Sequence, residues 1–227
     1  MVKLSILLIF MLFSSTSYSQ GVVPIEDFVR QIFIKGVPYS EAIEYGDEDV
    51  PVLVKMLNDP RESEHWANIV VTLEIIGGDL VVNDVISFIE RDPGKGYDIS
   101  YHRAKMAAIM GLGYLINSSN NEKALGYLVD SLNPKIWDDR KVYGVSVNGQ
   151  SYYERNIELS KQALLGLALA GTKKSAVEIK RFAEMNYSSG NAALSDFHRS
   201  SVNVIDELLK EHNRIQSKGM KLYKNEH

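Results

Sequence analysis

An all-α fold of stacked helix pairs follows from three observations. One unit, Gly46-Asp47-Glu48-Asp49-Val50-Pro51-Val52-Leu53-Val54-Lys55-Met56-Leu57-Asn58-Asp59-Pro60, returns in degraded form toward the end of the chain. Its helices place apolar residues three and four apart, so each has one face that needs cover. The chain has no cysteine and is 45% apolar, so its stability rests on a shared core rather than on crosslinks. A unit too small to bury its own apolar face stacks on its neighbours.

Residues 1–19 read as a secretory leader and are set apart from the fold. Lys3 supplies the positive start, residues 4–13 an apolar run, and Ser17-Tyr18-Ser19 a small-x-small cleavage signal before Gln20. That run of ten is too short to span a bilayer comfortably, and no transmembrane segment is expected in the mature chain. No cysteine follows it, which argues against a lipid anchor. Removing the leader leaves about 208 residues and takes the formal charge from −4 to −5, since the leader holds one Lys and no acid. Residues 20–213 are expected to form the domain and 214–227 a polar tail. Export without cysteines suits a bacterial periplasm, or release from the cell. The mild acidity argues against a broad nucleic-acid or anionic-lipid surface. Nothing in the sequence signals an oligomer, and a monomer is expected.

The elements follow in order. Ile25, Phe28, Val29, Ile32 and Phe33 form one apolar stripe, which predicts a helix over 25–35. Pro38 and Ser40 start a short turn of helix that ends at Gly46. Asp49 is a candidate N-cap with Pro51 just inside the next helix, where its missing N–H costs nothing, and Asp59-Pro60 stops it. Three longer apolar helices then align, at residues 70–78, 108–116 and 163–171. Their offsets are 38 and 55 residues, the second being 38 with an insertion of 17. Each leads through a short polar turn into a follower, at about 81–90, 122–132 and 174–184. Gly111 and Gly166 occupy matching positions inside these helices, where each costs about 1 kcal/mol against Ala. Close approach of a neighbouring helix is the expected compensation. A last helix over 194–212 carries Val202, Ile205, Leu208 and Leu209 on one face and charge on the other, as a terminal cap would.

The run Gly-Asp-x-x-Val-Pro-x-Leu-x-x-x-Leu-x-Asp-Pro at 46–60 resembles the HEAT-like repeat family. So does Arg103-Ala104-Lys105-Met106-Ala107-Ala108-Ile109-Met110-Gly111, as the second helix of such a unit. The resemblance covers about residues 46–185. It implies a right-handed α-α superhelix of about four helix pairs, an armadillo-type α-solenoid whose usual business is holding another protein. The chain departs from the pattern in the long insertion of its third unit and in the missing Asp-Pro stop of its fourth.

Loop lengths carry the positional clue to function. Connections between pairs are short, at 77–79, 117–121 and 171–173, whereas those within pairs are long, at 58–65, 91–100, 133–156 and 186–191. In a stack, alternate connections lie on opposite edges, so the long ones share an edge, and long loops tend to carry function. They and the helix starts they feed hold Trp66, Tyr97, Tyr101, Trp137, Tyr143, Tyr152, Tyr153 and Tyr187. Such rings offer large contact area at low entropy cost, which makes them candidate interaction residues. The other reading is that they fold back and seal the open edge, and for Trp66 and Tyr101, at helix starts, the two readings weigh equally. Within the insertion at about 135–155, Asn148-Gly149 between the β-prone runs 142–147 and 150–153 predicts a β-hairpin.

Catalytic patterns are missing: no cysteine nucleophile, no Gly-x-Ser-x-Gly and no His-Glu-x-x-His. Asp92-Pro93-Gly94-Lys95-Gly96 lacks the remaining residues of a phosphate loop. His65, His102 and His198 all sit near starts of second helices but without the paired spacing of a metal site, so no metal or cofactor is expected. The expected function is non-enzymatic protein binding, as a scaffold or adaptor of the cell envelope, through the long loops and the concave face. The alternative is an inhibitor or immunity protein against an exported toxin or hydrolase, with the loop from Trp137-Asp138-Asp139 to Tyr153 as its plug.

Overall fold

The computed structural model of the chain describes residues 23–91, 99–140, 142, 151–185 and 192–224. Among them every regular element is helical and there is no strand. The expected leader and the Asn148-Gly149 turn lie outside the described residues. The helices are α1 (Ile25–Val29), α2 (Tyr39–Ala42), α3 (Val50–Leu57), α4 (Trp66–Ile76), α5 (Val82–Glu90) and α6 (Ile99–Ser119). They continue as α7 (Glu122–Asp130), α8 (Ile136–Asp139), α9 (Tyr152–Ala170), α10 (Lys173–Glu184), α11 (Ala192–Lys218) and α12 (Met220–Lys224). Helices α4, α6, α9 and α11 lie side by side in that order. The shorter helices flank this row, α3 on α4, α5 on α6, α7 on α6 and α9, and α10 on α9 and α11. One continuous core runs between them, from Ile25 and Phe28 to Phe197 and Ile215.

Polar contacts gather the connectors at two edges. At one, Asp79 before α5 accepts hydrogen bonds from Ser119 and Asn121 at 2.7 and 2.6 Å, and Lys123 reaches Asn83. On that edge Lys174 pairs with Glu122, and the Asn117 amide donates to the last carbonyl of α9, Ala170, at 2.9 Å. These are the short connections. At the other edge Arg91 donates to Asn58, Arg140 meets Glu90 at 3.4 Å, and Tyr153 donates to Asp196. Among the described residues, these contacts tie together the helix ends on either side of the long connections.

Close helix approach explains two of the helical glycines. A Cβ on Gly113 of α6 would fall 2.3 Å from the Gly166 carbonyl oxygen of α9. One on Gly166 would fall 3.0 and 3.1 Å from the Met110 and Ile109 carbonyls. The two backbones lie in contact there, and only glycine permits it. Gly111 has a different cause. Its missing Cβ leaves room for the Glu74 carboxyl of α4, 1.7 Å from where that Cβ would stand.

Several boundaries differ from the sequence reading. Helix α1 stops at Val29 instead of reaching Lys35, because the Asn68 amide of α4 donates to both the Val29 and the Gln31 carbonyls, at 3.0 and 2.9 Å. A fork-to-fork pair of Arg30 with Glu62 fixes the same spot. Phe33 still packs on Phe28, with ring centroids 5.2 Å apart, but Ile32 leaves the core. Asp49 caps no helical N–H; its carboxylate accepts from Gly46 instead. The expected second strand of the hairpin, 150–153, is helical at Tyr152 and Tyr153. Ser151 and Glu154 form a reciprocal capping box there, and that pairing of orphan N–H groups starts α9. In α11 the buried face is Phe197, Ser201, Ile205, His212 and Ile215, and Val202 is exposed. Residues 214–224, expected in a tail, are helical apart from a break at Gly219, and they bury Ile215 and Met220.

Candidate functional site

The described part of the rim is built from helix ends, and of its five described candidate rings three are turned inward. Trp66 opens α4, where its indole N–H donates to the Met56 carbonyl at 3.3 Å. It packs against Tyr101 and Phe88, with centroids 5.0 and 5.8 Å away. Arg91 donates to the Leu57 carbonyl and to Asn58, holding the ends of α3 and α5 together. The Arg91 carbonyl in turn accepts from Tyr101 and from Lys105, whose buried ammonium lies 4.8 Å from the Tyr101 ring centre. Trp66 and Tyr101 are thus buried seals of the first two pairs.

Trp137 of α8 is fully buried, donating to Ser160 of α9 at 3.0 Å and meeting Tyr127 edge to face. Arg140 spreads over the Tyr127 ring at 3.8 Å, reaches Ser131 at 2.6 Å and faces Glu90. Arg155 at the start of α9 is buried as well, held by Asn156 and Asp138. These charges are spent on fixing connectors. The structure therefore withdraws Trp66, Tyr101 and Trp137 from the surface, because each indole or phenol finds its polar partner inside. Tyr152 and Tyr153 remain outward, 66% and 39% exposed, with Tyr153 donating to Asp196. Tyr97, Tyr143 and Tyr187 lie outside the described residues. Of the five described candidates, three are buried and two are exposed.

The same rim holds an apolar cavity of about 470 Å³ between α7–α8 and α10–α11. Val129, Leu132, Ile136, Phe182, Met185 and Leu194 line it. Asp130, Glu178 and Arg181 stand among its walls, with Arg181 turned onto Glu178 at 3.4 Å. Leu132 and Met185 follow the last turns of α7 and α10, one turn beyond Val129 and Phe182. There Leu132 is buried and Met185 is exposed. An apolar residue just past the end of a flanking helix is the signal in the sequence that marks them.

The histidines engage separate partners: His102 faces Glu158 at 3.5 Å, and His198 lies 3.1 Å from the Ala183 carbonyl. Burial lowers the His102 pKa, and the Glu158 carboxylate partly offsets that. No three side chains of metal-ligating type gather among the described residues. On the face of the long helices, Tyr39 and Tyr114 stack at 5.8 Å, and burial pushes the Tyr114 phenol up to about 12. Lys224 from α12 lies 5.6 Å from the Tyr114 ring centre. No described helix is long and apolar enough to cross a membrane. Comparison with known proteins finds no matching family model, no matching curated protein and no matching solved structure.

Proposed function

We propose that the chain is a short HEAT-like α-solenoid of the bacterial cell envelope that binds another protein without catalysis. Its docking surface is the rim of long connections, and the apolar cavity beside α10 is the anchor pocket. The cavity is the observation that carries this reading. Protein interfaces draw most of their energy from a few anchors seated in desolvated pockets, ringed by contacts that exclude water. A cavity with six apolar lining residues and a charged margin fits that description. Tyr152 and Tyr153 at the start of α9 are exposed amphipathic rings as well.

A crosslinking pull-down from the cell's own envelope fraction tests the proposal. The wild-type chain is run against Met185→Glu, which places a charge at the cavity from a position already 42% exposed and leaves the helical circular dichroism intact. Loss of the captured partner in the variant is the expected result. Recovery of the same partner by both baits would remove the rim cavity as the docking site.

A further inference from the structure

Helix α12 leaves the end of α11 and packs against α2, so the last and the second helix of the described chain meet. Gly219 joins α11 to α12 at φ +80°, a left-handed conformation that favours glycine, and a Cβ there would have no atom within 4 Å. Of the five residues of α12 Met220 is buried, whereas Leu222 is 60% exposed. At the far end Lys224 is half-buried, with its ammonium 5.6 Å from the Tyr114 ring centre. The same ring meets Tyr39 of α2 at 5.8 Å. Helix α12 therefore lies on a face shared by α2 and α6, where Tyr114 is 7% exposed.

That seat holds α12 weakly. Lys224 has exchanged water for an aromatic ring, and among the described residues its ammonium has neither an ion pair nor a hydrogen bond. Burial lowers its pKa, as it does for any cation withdrawn from water without a counter-charge. Glu74, the buried acid that helps raise the Tyr114 pKa, does not pair with it. A helix of five residues does not keep its shape alone in water, so α12 is ordered by its seat. One buried anchor set against one desolvated cation gives a local opening far easier than unfolding of the long helices. We propose that α12 is a strap that opens about Gly219 and closes over the face shared by Tyr39 and Tyr114. The structure is the closed form, and that face is available in the open one. The strap stands apart from the rim cavity, with which it has no residue in common.

Hydrogen exchange on the full chain, paired with hydroxyl-radical oxidation of Tyr114 and both read by mass spectrometry, tests the strap. Residues 220–224 are expected to exchange well before residues 163–170 of α9. Gly219→Ala acts on the joint, because its Cβ meets nothing and the penalty falls on the left-handed conformation. It is expected to speed exchange at 220–224 by about five- to thirtyfold, to raise Tyr114 oxidation, and to leave 163–170 unchanged. Met220→Asp, which removes the buried anchor, is expected to act in the same direction. Equal protection of 220–224 and 163–170 in the wild type would make α12 a fixed part of the core and overturn the inference. Faster exchange at 220–224 with Tyr114 oxidation unchanged in both variants would overturn it too, since the helix would then cover nothing.

Discussion

Glu74 lies in α4 with both carboxyl oxygens buried and without a hydrogen-bond partner among the described residues, and burial holds its pKa well above the ordinary 4.5. A native pKa above the unfolded one means that the folded chain keeps the proton longer. Its stabilising effect is complete below about pH 4.5 and is lost as pH rises toward the native value, at about 1.4 kcal/mol per pH unit. Glu74→Gln removes the titration. Thermal melts from about pH 5 to 9 are expected to fall for the wild type relative to the variant; parallel curves would contradict the burial. His212 has the opposite sign. It is buried against Ser175 and the Thr172 carbonyl, at 2.9 and 3.0 Å, and burial lowers its pKa from 6.5. Its share of stability is present above 6.5 and fades as pH falls below it, so His212→Asn should flatten the acid side of the same curve. Neither residue is legible in the sequence. Periodicity reads Glu74 as the polar side of a helix, and the space that buries it exists only because Gly111 lacks a side chain.

Helix starts and crossings show what local pattern can and cannot decide. The apolar periodicity of 108–116 and 163–171 locates α6 and α9, and Gly166 in the sequence announces their close approach. Gly111 sits in an equivalent register for a different reason, which a single sequence does not reveal. Gly113→Ala should cost upward of 1–3 kcal/mol in a denaturant titration, because its Cβ meets backbone that cannot move aside. Gly126→Ala in α7, where nothing stands within 4 Å of the new Cβ, should gain about 0.5–1 kcal/mol. Equal effects at the two positions would refute the close crossing. At the head of α9, Asn-Gly signals a turn but says nothing about how far the following strand extends. Ser151-x-x-Glu154 is the stronger local instruction, since it satisfies two N–H groups at once. Ser151→Ala should therefore cost about 1 kcal/mol. Likewise α1 is cut short by Asn68, nearly 40 residues further along the chain, a contact no local window contains.

At the scale of the molecule, unequal connector lengths suggest one shared edge, and the described helix ends beside the long connections are where that suggestion meets the structure. The contacts Arg91–Asn58, Arg140–Glu90 and Tyr153–Asp196 run along it as that inequality suggests. Which side chains the rim displays was not legible. Trp66, Tyr101 and Trp137 have the composition of binding residues and the positions of seals, and only the inward partners Met56, Arg91 and Ser160 distinguish the two roles. The cavity, conversely, is lined by ordinary apolar residues, and the position of Leu132 and Met185 just past helix ends is the one faint mark they leave in the sequence. The most direct test of the account compares two photo-crosslinking probes in the envelope, one at Met185→Cys on the rim and one at Lys123→Cys on the edge of short connections. The account predicts a protein trapped by the rim probe and none by the other. Equal trapping at both, or trapping at Lys123→Cys alone, would contradict it.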